Sequence, residues 1–169
     1  VIEHIPNECA ANLFSEAYRC LRAGGVLRIT CPDAMINHAA YARDDRTFFH
    51  YLYNNIQECF LHTFAAQLLK PDYSQSLSPA EVDELFTNLP LDDALDAVIS
   101  RCSVEYQRSR PGNHMNWWHL DKLEDFLRQA GFDEIHRSGY ARSICPVLRD
   151  TGFFDNTMPK FSLYLDAVK

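Results

Sequence analysis

The segment from residue 7 to residue 33 constrains the fold of this chain most, because a helical pattern runs directly into a buried strand. Apolar residues recur at helical spacing here, at Ala10, Leu13, Phe14, Ala17 and Leu21. Gly24 and Gly25 follow and predict the end of the helix. The next six residues, "VLRITC", are mostly apolar rather than alternating, which is typical of a strand covered on both faces. A helix that leads straight into such a strand is half of a β-α-β unit, so the chain predicts an α/β fold.

The amino-terminal residues predict the remnant of a further strand. A β-α-β unit has a strand before its helix, and only Val1 and Ile2 occupy that place. We therefore interpret these two residues as the end of a strand whose earlier part lies outside the sequence. On this interpretation the chain is a fragment, or a partial reading frame, of a longer domain.

The remainder of the chain predicts a helix-rich middle and two closing strands. Within residues 34–118, "SPAE" at 78–81 has the pattern of a capping box, and another helix is expected after Pro90. "HLDKLEDFLRQAGF" predicts a short helix that Gly131 ends. "FDEIHRSG" and "FSLYLDAV" predict two strands, separated by a connection of about twenty residues.

The composition excludes several partners and compartments. The 169 residues carry a net charge of −7, and the basic residues are scattered, which argues against nucleic-acid binding. There is neither a run of 18 apolar residues nor a signal peptide, so we expect no membrane partner. The six cysteines contain no CxxC pair, and we expect reduced, buried thiols. These patterns together predict a soluble, cytoplasmic protein.

The order of the motifs resembles the C-terminal half of class I methyltransferases that use S-adenosylmethionine (SAM), above all the small type 11 enzymes. The resemblance covers most of the chain and is weakest between residues 60 and 110. Its closing part is "WWHLDKLEDFLRQAGF" and "SLYLDAVK". Its opening part is the family signature "EH-P…R-L-GG-LRI-PD", which here consists of Glu3, His4, Pro6, Arg19, Leu21, Gly24, Gly25, Leu27, Arg28, Ile29, Pro32 and Asp33.

The resemblance implies a partial Rossmann-like methyltransferase fold. Residues 1–169 would form a single partial domain, with 34–118 as a helix-rich insertion that contacts the methyl acceptor. "VLRITC" would be the fifth strand, followed by the sixth and seventh, and Val1 and Ile2 would be the remnant of the fourth. In this family the last two strands form an antiparallel hairpin, and the last strand lies next to the fifth.

The cofactor half of the family pattern has no counterpart in this sequence. The family binds SAM with a glycine-rich turn after its first strand and an acidic residue at the end of its second, as dinucleotide-binding folds do. The six glycines stand at 24, 25, 112, 131, 139 and 152 and make no such turn. The resemblance implies an enzyme that transfers a methyl group from SAM to an unidentified small molecule. We expect this chain by itself to bind SAM weakly or not at all.

Glu3, His4 and Asp33 are the candidates for catalysis and cofactor contact. By resemblance, Glu3 and His4 lie at the strand edge that faces the cofactor and the acceptor, where His4 would act as general base. Asp33 follows the fifth strand and would point into the same cleft. The structural alternatives are that His4 caps the following helix or bonds the backbone, and that Asp33 caps a helix.

The candidates for the acceptor pocket are Tyr41, His114, Trp117 and Trp118. Aromatic walls shield a reactive methyl group from water and hold planar or sugar-like substrates. The alternative for the tryptophans is that they pack the middle helices onto the sheet. Because no pair of histidines has the H-E-x-x-H spacing, the sequence predicts no metal site. "EH" at 3–4 also resembles the end of the E-x-x-E-H motif of metal-binding methyltransferases, whose first glutamate would precede Val1.

Two functions from different classes are compatible with the sequence. The first is the methyltransferase reaction. The second is a non-catalytic interaction module, derived from a methyltransferase, that forms a homodimer. A fifth strand that lacks its neighbour presents unpaired backbone groups, and such an edge pairs readily with another chain. We expect the dimer to form through this strand or through the first helix, with residues 1–5 joining across.

Overall fold

Seven α-helices and three strands make up the regular structure of residues 1–156 and 158–169, which the computed structural model describes. The helices are α1 (Asn7–Cys20), α2 (Ala34–Tyr41), α3 (Ile56–His62), α4 (Pro79–Asn88), α5 (Leu91–Ile99), α6 (Val104–Ser109) and α7 (Leu120–Gln129). The strands are β1 (Val26–Pro32), β2 (Glu134–Arg137) and β3 (Ser162–Val168). Short 3-10 helices lie at Ile2–His4, Arg46–Phe48, Ala66–Leu69 and Pro146–Arg149. The predicted mixed α/β class is confirmed.

The three strands form one sheet in the order β1-β3-β2. β3 is antiparallel to both neighbours, so β1 and β2 run parallel to each other. Val26 pairs with Val168 at one end of β1, and Pro32 pairs with Ser162 at the other. On the opposite edge of β3, Glu134 of β2 also stands beside Val168. The last strand therefore lies next to "VLRITC", as predicted.

The chain divides into two compact units. The helical unit consists of Val1–Pro6 and Ala34–Trp117, and the sheet unit consists of Asn7–Asp33 and Trp118–Lys169. The helical unit has a core of buried side chains that includes Phe60, Phe64, Val82, Leu95 and Val98. The buried side chains of the sheet unit include Phe14, Trp118, Leu123, Leu127, Phe132 and Leu165. Each unit thus has apolar interior residues of its own.

Glycines end the first and last α-helices in the left-handed conformation that other residues rarely adopt. Gly24, after α1, has φ +75°, and Gly131, after α7, has φ +108°. At the end of α7, the Phe132 N–H donates to Leu127 O and the Gly131 N–H donates to Arg128 O, both at 3.0 Å. These two bonds define a Schellman motif, as the sequence predicts.

The capping box at the start of α4 is also confirmed. Ser78 Oγ accepts the Glu81 N–H at 3.3 Å, and Glu81 Oε2 accepts the Ser78 N–H at 2.8 Å. Each side chain therefore satisfies a backbone donor that the first helical turn leaves open. α5 then begins directly after Pro90, which again agrees with the sequence.

The predicted strand remnant at the amino terminus is wrong. Ile2–His4 form a 3-10 turn in which the His4 N–H donates to Val1 O at 3.0 Å. The Glu3 carbonyl accepts the N–H groups of Met115 and Asn116 at 2.9 and 3.1 Å. Because buried backbone groups must find partners, a turn bonded to the 115–116 segment replaces the strand pairing that the sequence pattern suggests.

Two further expectations concern the membrane and the cysteines. None of the described helices combines the length and the apolar character that a membrane span requires. The six cysteines are free, and Cys31 and Cys59 are buried as predicted. Cys9 and Cys20 are exposed, so the prediction of buried thiols is wrong for these two, which lie on the outer face of α1.

Candidate functional site

Three ionisable side chains of the helical unit converge on one point. Glu3, His4 and His114 each offer a ligand-type atom, and these three atoms lie within 4.8 Å of one another. His4 Nε2 stands 3.5 Å from Glu3 Oε1, and the rings of His4 and His114 meet edge to face with centroids 4.7 Å apart. The predicted general base, the predicted cofactor contact and one predicted acceptor residue therefore form one cluster.

The backbone around residue 113 holds this cluster together. Glu3 is fixed by the bonds that its carbonyl accepts from the 115–116 segment, and Asn116 Nδ2 donates to Ile5 O at 2.9 Å. The carbonyl oxygen of Asn113 accepts both His4 Nδ1, at 3.0 Å, and the buried Gln107 side chain, at 2.6 Å. The amino-terminal turn and the 113–116 segment therefore form one hydrogen-bonded assembly, although more than 100 residues separate them in the chain.

The hydrogen bonds of the two histidines determine which ring nitrogen carries the proton. His4 Nδ1 bonds the Asn113 carbonyl, and His114 Nδ1 bonds the Thr63 carbonyl at 2.9 Å. A carbonyl oxygen only accepts, so each Nδ1 carries the hydrogen. In the neutral ring, each Nε2 then keeps a lone pair.

Burial and neighbouring charges set the ionisation of the cluster. Burial tends to raise the pKa of Glu3, but hydrogen bonds from His4, from the Val1 amine and from the backbone outweigh it and lower the pKa to about 2. Burial lowers the pKa of the His114 imidazole, and the positive charge of His4 lowers it further. The favoured state is therefore a carboxylate beside a neutral His114 ring.

A third imidazole, His62, stands next to the cluster and was not singled out by the sequence. Its ring centroid lies 6.2 Å from that of His114, with the planes only 29° apart, and the Tyr53 hydroxyl lies 3.1 Å from its Nδ1. Burial, followed by the charges of His114 and Lys70, lowers the pKa of His62 to about 4. His62 is therefore neutral at physiological pH. Its position at the end of α3 is the sole sequence signal that could have placed it here.

Tyr41 lines a separate open cleft of about 560 Å³ in the helical unit. Its ring stacks on Phe60, with centroids 4.8 Å apart, and its hydroxyl donates to Asp83 Oδ1 at 2.6 Å. Gln57 Nε2 donates to the same carboxylate at 2.8 Å. Burial and Asp83 raise the pKa of Tyr41, so the hydroxyl stays protonated as a donor. This cleft has the aromatic wall that the sequence predicts for an acceptor pocket.

The two tryptophans predicted for the acceptor pocket lie in the interior. Trp117, in the helical unit, is 3% exposed and donates its Nε1–H to Asp96 Oδ1 at 2.8 Å. Trp118, in the sheet unit, is fully buried, and its ring meets Phe14 and Phe126 edge to face. Their observed positions correspond to the packing alternative.

Asp33, the second predicted catalytic residue, follows β1 in the sheet unit. Its side chain is buried, and its backbone N–H donates to Phe161 O at 2.7 Å, which extends the β1–β3 pairing by one residue. The position at the end of the strand agrees with the sequence.

The sheet unit contains a buried charge network that the sequence analysis missed. Arg28 Nη2 lies 2.6 Å from Asp155 Oδ2, and Arg28 Nη1 lies 3.2 Å from Asp166 Oδ1. These three side chains are between 0% and 6% exposed. Burial works against the charged forms, but the hydrogen bonds to Arg28 lower the pKa of Asp155. A lone arginine in the apolar strand "VLRITC" was the signal that an acidic partner must exist.

Comparisons with models of known protein families, with curated proteins and with solved structures found no match to this chain.

Proposed function

We propose that this chain is part of a class I SAM-dependent methyltransferase that acts on a small molecule. The observation that carries the proposal is the sheet order, in which the antiparallel β3 lies between two strands that are parallel to each other. This is the arrangement that the sequence resemblance implies for strands five, seven and six. The ordered motifs from Glu3 to Asp33 and the closing strand support the same assignment.

His4 and Tyr41 are the residues that we assign to the acceptor side. A hydroxyl or amine acceptor must lose a proton when it gains a methyl group, and a neutral imidazole is suited to take it. His4 has its Nδ1 engaged by the Asn113 carbonyl, which leaves Nε2 to act as the base. The cleft beside Tyr41 offers an aromatic wall and the Asp83 carboxylate, which together favour a planar acceptor with hydroxyl or amine donors.

The residues of this chain do not fit the SAM group itself. Gly24 and Gly25 end α1, and a Cβ on Gly25 would lie 2.8 Å from Arg22 O, so this turn packs against its own helix. The glycine-rich turn with which the family holds SAM is absent from residues 1–169. We therefore expect this chain alone to bind SAM weakly or not at all, and we assign no step to the cofactor here.

The reading frame on the 5′ side of the Val1 codon tests the proposal. We expect an in-frame glycine-rich turn roughly 60 residues earlier, followed by an acidic strand end, as in other nucleoside-binding α/β folds. The protein expressed with that segment should bind SAM in isothermal titration calorimetry, whereas residues 1–169 should not. A longer frame without such a turn, or a longer protein that binds no SAM, overturns the proposal.

A second candidate function, a homodimeric interaction module, is favoured by the free edge of β1. In the described residues β1 pairs with β3 alone. Asp33 N bonds Phe161 O on that side, so the antiparallel alternation turns the backbone groups of Val26, Arg28 and Thr30 toward the other edge. Two copies of such an edge can pair across a two-fold axis.

Light scattering during size-exclusion chromatography tests this second candidate. We expect twice the mass of one chain for the protein and the mass of one chain for Val26→Pro, because proline removes the outward N–H. Val26→Thr keeps that donor and serves as the matched control, which should stay dimeric. A wild-type monomer, or a Val26→Pro dimer, excludes pairing through this edge.

A further inference from the structure

The gap between Glu3 and His4 is the feature of the helical unit that internal bonding explains least. His4 Nε2 stands 3.5 Å from Glu3 Oε1, which is longer than an ordinary N–H···O bond of about 2.7–3.2 Å. With the His4 proton on Nδ1, the neutral ring points a lone pair at a carboxylate oxygen, and two acceptors repel each other. The arrangement is favourable with a cation between these atoms, or with a second proton on His4.

The separations within the cluster match those around a small metal ion. Bonds of about 2.0–2.1 Å in a tetrahedral site place neighbouring ligand atoms about 3.4 Å apart. The pair of Glu3 and His4 already has this spacing, and the His114 atom lies within 4.8 Å of both. A modest rotation of the His114 ring toward the ion would complete three ligands.

The outer hydrogen bonds of both histidines are those of metal ligands. A histidine that binds a metal through one ring nitrogen commonly donates the other N–H to a backbone carbonyl or a carboxylate, which fixes the tautomer and aims the ring. His4 does so to Asn113 O and His114 does so to Thr63 O. The Asn113 oxygen is itself held by Gln107, so the support of His4 is rigid.

We propose that Glu3, His4 and His114 form a binding site for one divalent transition-metal ion, held by a carboxylate oxygen and two Nε2 atoms. Two imidazoles and one carboxylate suit zinc, iron, cobalt or nickel, whereas magnesium and calcium prefer oxygen ligands alone. The three side chains leave at least one coordination position for water or a bound molecule. The inference stands on this cluster alone and does not depend on the proposed methyl transfer.

Zinc titration of the chelator-stripped chain tests the site. We expect one equivalent of Zn²⁺ per chain in isothermal titration calorimetry, in a Cys9→Ser, Cys20→Ser background that removes the exposed thiols. His4→Asn keeps a donor for the Asn113 carbonyl but removes Nε2, and it should weaken binding by more than about 100-fold, a larger loss than outer hydrogen-bond partners cause. His114→Asn should have an effect of the same size.

His136→Gln is the matched control, because His136 also faces a glutamate but lies on the exposed strand β2. Its Nε2 stands 2.8 Å from Glu134 Oε1, and within the described residues this pair belongs to no group of three ligand-type side chains. This variant should bind zinc as the parent does. Absence of stoichiometric binding, equal affinity in His4→Asn and the parent, or equal losses in His4→Asn and His136→Gln each overturn the inference.

Circular dichroism of each variant separates a lost ligand from a lost fold. His4→Asn should keep the helical spectrum of the parent while it loses zinc affinity. Loss of the spectrum shifts the test to Glu3→Gln, which keeps the size of the side chain and removes its charge. Folded Glu3→Gln with unchanged zinc affinity also overturns the inference. Since no SAM enters these titrations, their outcome is separate from that of the proposed function.

Discussion

Each unit of this protein contains a polar cluster, and the two clusters differ in how completely they are satisfied. In the sheet unit, all four carboxylate oxygens of Asp155 and Asp166 accept hydrogen bonds, from Arg28, Thr30 and neighbouring groups. In the helical unit, the Nδ1 atoms of His4 and His114 are bonded, but their Nε2 atoms and a carboxylate oxygen face one another.

This difference separates a structural cluster from a cluster with binding capacity. A buried charge network whose members satisfy one another has no lone pair left for a ligand, and its loss is expressed as instability. A cluster with converging lone pairs stabilises the fold little and can bind a cation or accept a proton. The comparison predicts large stability effects in the sheet unit and small ones around Glu3.

Arg28→Ala should give the largest effect. It leaves Asp155 and Asp166 buried without a counter-charge, which costs about 3–5 kcal/mol in the free energy of unfolding. Urea denaturation followed by circular dichroism measures this cost. Arg19→Ala removes an exposed arginine paired with Glu16 and should leave the urea midpoint unchanged. Equal stability of Arg28→Ala and the parent would show that the network is not closed.

Acid should weaken the sheet unit through Asp155. The pKa of this carboxyl is lowered from its ordinary value of 3.8 in the folded protein, so its contribution to stability is complete above that value. The contribution is lost as the pH falls through the lowered pKa. Asp155→Asn should therefore be less stable than the parent at about pH 6, and the difference should shrink below about pH 4.

Denaturation curves of the two proteins across this range check the prediction. Asp125→Asn is the control, since Asp125 is an exposed aspartate of α7, and its difference from the parent should stay constant with pH. A constant difference for Asp155→Asn would contradict the assigned role of the Arg28 pair.

Thr30→Val should cost about 1 kcal/mol. The threonine hydroxyl donates to Asp155 Oδ1 at 3.0 Å, and valine keeps the shape while it removes this bond. The measurement is the urea midpoint at neutral pH. In a double-mutant cycle, Asp155→Asn should absorb most of the effect, because the two residues are in direct contact. Fully additive losses would mean that Thr30 acts independently of the carboxylate.

His4→Asn should have the smallest effect on stability, within about 1 kcal/mol of the parent, because the amide replaces the Nδ1–H bond to Asn113. The same urea denaturation, in chelator-treated buffer, provides the measurement. Adding zinc should raise the midpoint of the parent and not that of the variant, since an ion that binds only the folded state stabilises it. A cost as large as that of Arg28→Ala would make the two clusters alike.

The predictable part of the site is the identity of its residues rather than their arrangement. Glu3, His4 and His114 were all singled out from the sequence, but for separate roles. His4 and Asn113 are 109 positions apart, and nothing in either local sequence indicates that they share a hydrogen bond. Tyr41 was predicted beside an acceptor, whereas its partner Asp83 could not be, because a charged residue on an exposed helix face has no distinguishing pattern.

The sequence by itself determined the local features of this protein. The capping box at Ser78, the Schellman motif at Gly131 and the strand "VLRITC" each depend on interactions within a few residues, so their patterns are complete in one short segment. The order of the strands also followed from the sequence, through its resemblance to a family.

Only the tertiary structure decided how the polar groups are paired. The sequence pattern at Val1 and Ile2 suggested a strand, but hydrogen bonds from the 115–116 segment stabilise a turn there. The connection before β3 supplies the Asp155 carboxylate that Arg28 requires. A buried polar group takes whichever partner the fold brings within reach, and at separations of 100 residues that partner depends on the packing of the whole unit.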